Sequence, residues 1–129
     1  MTETSYKQVN ILGTDYKIFY ETENPRFDEV DGYTDYSTKE IHIQIQEPSK
    51  DIMHNLKYYQ DYVLRHEIIH TFLYESGLDT QSNETEMWAR NEEMVDWLAI
   101  QFSKIVKVFK ELKIWKEKLL CLEKNTLAK

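Results

Sequence analysis

The sequence predicts an α+β domain, a small antiparallel or mixed sheet of about three to four strands packed on two helices. Three observations carry this expectation. Residues 1–47 hold short segments whose apolar side chains recur at every second position. Residues 50–110 hold stripes that recur at every third or fourth. The two patterns occupy separate halves of the chain rather than alternating along it. A chain of 129 residues suffices for one domain with one modest core, and no repeat, low-complexity tract or Pro/Gly linker marks a boundary, so 1–129 reads as a single domain. Apolar content of 41% and aromatic content of 13% are those of a folded globular protein, which excludes a disordered chain.

The strands come first. "YKQVNIL" and "YKIFYETE" flank "GTD", and Gly13 in that short link predicts a hairpin. After Asn24-Pro25 comes "DGYTDYSTKEIHIQIQ", where Asp31-Gly32 is a turn signal. "EIHIQIQ" alternates strictly. Ile41, Ile43 and Ile45 lie on one face and His42, Gln44 and Gln46 on the other, the pattern of a half-buried strand, expected at a sheet edge. Pro48 ends it. The helices follow. Leu56, Tyr59, Val63, His66, His70 and Leu73 make one stripe, with Gly77 as its C-terminal cap. Asn83 and Glu86 form a capping-box pattern for a second helix, whose stripe runs Trp88, Glu92, Val95, Ala99, Phe102, Val106 and Phe109. Residues 111–129 make a basic amphipathic tail.

Charge and cysteine usage exclude several classes. The net charge of −7 argues against direct nucleic-acid binding as the main role. The charge is uneven: the stretch from Lys104 onward carries +5, and residues 1–103 carry −12. No apolar run approaches the ~20 residues that span a bilayer, so no membrane association is expected. The stretch "MTETSYKQVN" lacks the basic-then-apolar layout of a secretory signal, and Cys121 is the single cysteine. Both fit a cytoplasmic protein, exclude an internal disulfide framework, and leave nitrogen and oxygen as the ligands for any metal.

One motif carries chemistry. "HEIIH" places His66 and His70 four residues apart, on one helix face, where both imidazoles can reach one ion. Glu67 projects roughly 100° around the helix, beside the water that such an ion activates, where a general base is needed. Two imidazoles buried without partners on the apolar stripe of Tyr59, Val63 and Leu73 would be costly, and a metal removes that cost. The metzincin continuation would need Gly at 73 and His at 76, and the chain has Leu73 and Ser76. His42 lies on a strand. His54 is roughly 18 Å from His66 along a helix, too far to share an ion. The second helix offers Glu92, Glu93 and Asp96. Periodicity selects Glu92, which shares the stripe of Trp88, Val95 and Ala99, and sets Glu93 nearer the solvent. Asp96, one turn on, is placed to accept the free N–H of a ligand imidazole.

"HEIIH" together with "NEEMVD" (91–96), an N-E-x-x-x-D pattern on a following helix, resembles the gluzincin clan of zinc metallopeptidases. The resemblance implies a minimal zincin fold, Zn²⁺ as cofactor held by His66, His70 and Glu92, Glu67 as the catalytic base, and Asp96 supporting a ligand histidine. Within the clan the chain is similar to the small ImmA/IrrE-type metallopeptidases of phages and mobile elements, over roughly residues 6–109. "EEMVDWLA" departs from that family's E-x-x-A-N-x-F-A at Val95, Asp96 and Leu98. The likeness implies a selective endopeptidase acting on a protein or peptide, with a repressor-like regulator as its target. Gluzincins add a Tyr or His donor for the oxyanion, and Tyr74 and Tyr33 are the candidates here. Substrate is expected to lie extended along the strand "EIHIQI". A non-catalytic metal-binding interaction module is the competing reading. The oligomeric state is not legible.

Overall fold

The computed structural model describes residues 6–46, 55–80 and 88–115. His54, the Asn83/Glu86 pair, Pro48, Cys121 and the tail beyond 115 lie outside the described residues. The architecture is α+β, a four-stranded mixed sheet with two helices. Strands β1 (Tyr6–Ile11), β2 (Thr14–Glu21), β3 (Gly32–Asp35) and β4 (Glu40–Gln44) precede helices α1 (Leu56–Glu75) and α2 (Glu92–Glu111), with short 3-10 turns at Pro25–Asp28 and Trp88–Arg90. The chain divides into two compact units, Met1–Ala99 and Ile100–Lys129. Among the described residues no helix is long and apolar enough to cross a membrane.

The β1–β2 hairpin forms where the sequence predicts it. Leu12 (φ 51°) and Gly13 (φ 96°) make a two-residue link with both residues left-handed, whose twist matches the flanking strands. Asn10 closes the link, accepting from the Gly13 N–H at 3.0 Å and donating to Asp15 at 2.8 Å. The sheet order is β1-β2-β4-β3, with β2 and β4 parallel and the other pairs antiparallel. This corrects the edge expectation for "EIHIQI". β4 is interior, Ile41 and Ile43 are fully buried, and the edges are β1 and β3. The alternation was read correctly, but alternation reports only which face is buried; it does not count neighbours in the sheet plane.

Asp31 lies in a bend at the entry to β3. The chain turns between β3 and β4 at residues 36–39, where Asp35 Oδ1 accepts from the N–H groups of Ser37 (3.0 Å) and Thr38 (3.3 Å) and Lys39 takes φ 59°. Gly32 instead opens β3 and lets it approach α1, since a Cβ at that position would lie 2.7 Å from Val63 Cγ1. Gln44 N–H donates to the Asp31 carbonyl at 2.9 Å, which makes 33–42 and 35–40 the hydrogen-bonded pairs of the β3–β4 ladder. The main-chain polar groups of Gly32 and Thr34 therefore face the β3 edge, which no other described strand covers.

Ile11, Tyr16, Ile18, Ile41, Ile43 and Val63 form the core between the sheet and α1. Each fully buried isoleucine stabilises this packing by roughly 1.5–3 kcal/mol. Asn55 starts α1 by accepting from the Tyr58 N–H at 3.0 Å, and Gly77 at φ 86° stops it. The buried line of α1 is Val63, Glu67 and Thr71, so the histidines occupy the flanking line and Glu67 faces the sheet. Asn91 caps α2: its side chain accepts from the Met94 N–H at 2.7 Å. Val95 and Ala99 are buried on α2, whereas Trp88 and Phe102, expected on the same stripe, are 61% and 48% exposed. In the second unit, Lys113 (φ 59°) ends the helix and Trp115 stacks back on Phe109 at 5.8 Å.

Candidate metal centre

Helix geometry brings His66 and His70 together first. One turn apart on the half-buried flank of α1, their Nε2 atoms lie 3.1 Å from each other. Glu92 is the first residue of α2, and its carboxylate reaches back to the pair, with Oε2 3.1 Å from His66 Nε2 and Oε1 2.9 Å from His70 Nε2. These three ligand atoms lie within 4.8 Å of one another. Glu93, the next residue, is exposed. Glu92 is also exposed, its side chain at 67%, so inward burial is not what distinguishes the two. The distinction is helix phase, which points one carboxylate at α1 and the other away.

Asp96, one turn further along α2, accepts from His66 Nδ1 at 2.7 Å and from the Tyr62 hydroxyl at 2.6 Å. This bond assigns the Nδ1–H tautomer to His66 and frees the Nε2 lone pair. Burial, and then the bond to Asp96, push the Tyr62 hydroxyl up to about 12, so it remains a donor to that carboxylate. The donor set fits a divalent cation. Two neutral imidazoles and a carboxylate are a zinc-type set, and atoms bound tetrahedrally at about 2.0–2.2 Å are about 3.3–3.5 Å apart. The observed separations of 2.9–3.1 Å fall a few tenths of an ångström short of that. Three carboxylates (Glu67, Glu92 and Asp96) border two imidazoles, an excess of negative charge that a cation offsets.

Glu67 is buried, at 9% exposure. Thr34 Oγ1 donates to its Oε1 at 3.0 Å. Burial raises its carboxyl above the usual carboxylate range, against the opposing pull of His66, Thr34 and His70. The cluster opens onto a cleft of about 450 Å³ whose far wall is β3 and its turn, through Gly32, Thr34 and Tyr36. Tyr36 stacks on Tyr74 at 4.0 Å. Its hydroxyl makes no hydrogen bond among the described residues. Burial, followed by the nearby charges of Glu67 and Asp79, raises it far above the usual tyrosine value, so it keeps its proton.

The structure thus brings together His66, Glu67, His70, Glu92 and Asp96. It does not bring Tyr74 to the cleft wall, since that ring backs Tyr36. Tyr33 borders the cleft, but its ring stacks on His42 at 4.8 Å and its hydroxyl accepts from Asn24 Nδ2 at 2.7 Å. His42 is engaged elsewhere, its two ring nitrogens 2.6 Å and 2.9 Å from Glu21 and Glu40. Thr34, Tyr36 and Tyr62 escaped sequence reasoning. For the first two a partial signal existed, because Gly32 and Thr34 recur at every second position on the sheet face toward α1 and Tyr36 continues that spacing into the turn. Comparison with protein-family models, with curated proteins and with solved structures gives no match.

Proposed function

We propose that the chain is a zinc-dependent metallopeptidase of gluzincin type on a minimal zincin fold, with His66, His70 and Glu92 as ligands and Glu67 as general base. The observation that supports this reading is the convergence of both imidazole Nε2 atoms and the Glu92 carboxylate within 3.1 Å, with Asp96 behind His66. Bound zinc would supply a Lewis acid that polarises the scissile carbonyl and brings the pKa of a coordinated water toward ~7.

The remaining steps belong to the chain's own side chains. Glu67 takes the proton of the attacking water as its oxygen bonds to the carbonyl carbon, and delivers that proton to the amine nitrogen as the C–N bond breaks. Such a base contributes roughly 10²–10⁴-fold. Burial suits the role by bringing the carboxyl nearer to neutral pH. Tyr36, protonated and with its hydroxyl uncommitted, replaces Tyr74 and Tyr33 as the candidate donor to the oxyanion. An extended peptide pairs with the β3 edge through the main chain of Gly32 and Thr34, rather than with β4. The target is a protein or peptide, with a repressor-like regulator favoured by the family likeness.

Glu67→Gln tests the reading. The expected result is zinc retained at one equivalent, with cleavage of a proteome-derived peptide library lost. Cleavage at the wild-type rate by that variant would refute the base, and a wild type that binds zinc but cleaves nothing would leave the non-catalytic module.

A further inference from the structure

Resting on the peptidase reading above, we propose that Thr34 is a positioning residue, whose hydroxyl aims Glu67 while its main chain receives the substrate. A glutamate carboxylate turns freely about its last torsion, where the wells are broad and two-fold. Glu67 sits buried at the floor of the cleft, and among the described residues one side chain donates to it, Thr34 Oγ1 on Oε1 at 3.0 Å. A single fixed donor sets the plane of the carboxylate and leaves Oε2 as the oxygen that takes a proton.

The backbone determines where that hydroxyl points. Thr34 pairs with Ile41, so its side chain shares the sheet face of the core isoleucines, toward α1. Its branched Cβ restricts χ1, so the hydroxyl direction follows the strand. Gly32, two residues earlier, permits the approach, because any side chain there would meet Val63. The Thr34 N–H and C=O point the other way in the sheet plane, to the edge that no other described strand covers. One residue therefore sets the aim of the base and the height at which an added strand sits.

The test uses the zinc-loaded full chain and three variants, Thr34→Val, Thr34→Ser and Glu67→Gln. Acetohydroxamic acid is the probe, since a correctly aimed carboxylate beside a zinc site strengthens its binding by accepting its hydroxyl proton. Thr34→Val is close to isosteric and is expected to leave zinc affinity unchanged, to weaken acetohydroxamate about tenfold, the loss of one hydrogen bond to a charged group, and to lower kcat with KM unchanged. Thr34→Ser restores both values, because it restores the donor. Acetohydroxamate affinity in Thr34→Val equal to wild type would overturn the proposal, as would Thr34→Ser behaving like Thr34→Val. Peptide cleavage is read separately. A wild type that binds zinc and acetohydroxamate but cleaves no peptide sinks the peptidase reading, while the affinity comparison still decides the role of Thr34.

Discussion

Asp96→Asn isolates the charge behind the proposed ligand His66. The amide keeps the shape of the carboxylate and an oxygen that can still accept from His66 Nδ1 and the Tyr62 hydroxyl, now at 2.7 Å and 2.6 Å. What is lost is the negative charge that makes the imidazole a stronger donor to a cation. Removing an outer partner of a metal ligand costs roughly 10–100-fold in metal affinity. The Asp96 side chain is 45% exposed, so solvent screens part of its charge and the lower end applies, about tenfold or ~1.4 kcal/mol. Asp96→Ala removes the acceptor as well and moves toward the upper end, about 100-fold. Tyr62→Phe removes only the other donor and leaves zinc affinity near wild type. The assay is competition for zinc against a chromophoric chelator at pH 7. An Asp96→Asn affinity equal to wild type, or a Tyr62→Phe loss as large as that of Asp96→Ala, would refute the assignment of His66 Nδ1 to this carboxylate as a functional bond.

Three further outcomes follow from the same geometry. Glu92→Gln loses zinc while Glu93→Gln retains it, measured by metal content after gel filtration; the reverse result would mean that helix phase had been misread. Gly32→Ala forces a Cβ to within 2.7 Å of Val63 Cγ1 and 3.2 Å of the His42 carbonyl, and overpacking of this kind costs about 1–3 kcal/mol in urea unfolding. Glu75 is held below the ordinary carboxylate value of 4.5 by the Tyr16 hydroxyl first, and also by Thr14 and Lys39. Its stabilisation is therefore present above pH 4.5 and lost as pH falls through the lowered value. Glu75→Gln should cost about 1–3 kcal/mol at pH 7, and the difference should shrink as pH falls through the lowered value, followed by urea melts in a descending pH series.

Sequence patterning revealed those parts of the fold that depend on one dimension of the chain. The hairpin is legible through Gly13, although the link lies at Leu12-Gly13 rather than at Gly13–Asp15, and the end of α1 is legible because Gly77 marks it. The reversal at 36–39 carries no glycine and was missed; its signal is the Asp35 side chain capping Ser37 and Thr38. The order of strands was not legible, because a parallel β2–β4 pairing that skips β3 depends on contacts across about twenty residues. The Asn91 cap of α2 was not read from the sequence, because an Asn with no Glu or Gln three residues on lacks the capping-box spacing.

The cluster at the HEIIH helix was more legible than the fold, for a physical reason. Side chains three or four residues apart share a helix face, and this phase survives errors in boundaries and topology. Glu92 was selected for lying on a buried stripe, and its exposure shows that the stripe is not what holds it there. What brings it there is its place four positions before Asp96, one turn along α2, so that one helix presents two carboxylates to His66, Glu92 at Nε2 and Asp96 at Nδ1. Of the residues that escaped, Thr34 comes from β3 and Tyr36 from the turn after it, and the position of that strand beside α1 depends on tertiary packing through Gly32. Helical phase thus specifies the half of the cleft that carries His66, His70 and Glu92 from local sequence alone. The half that would meet a peptide is specified only once the sheet has closed against α1.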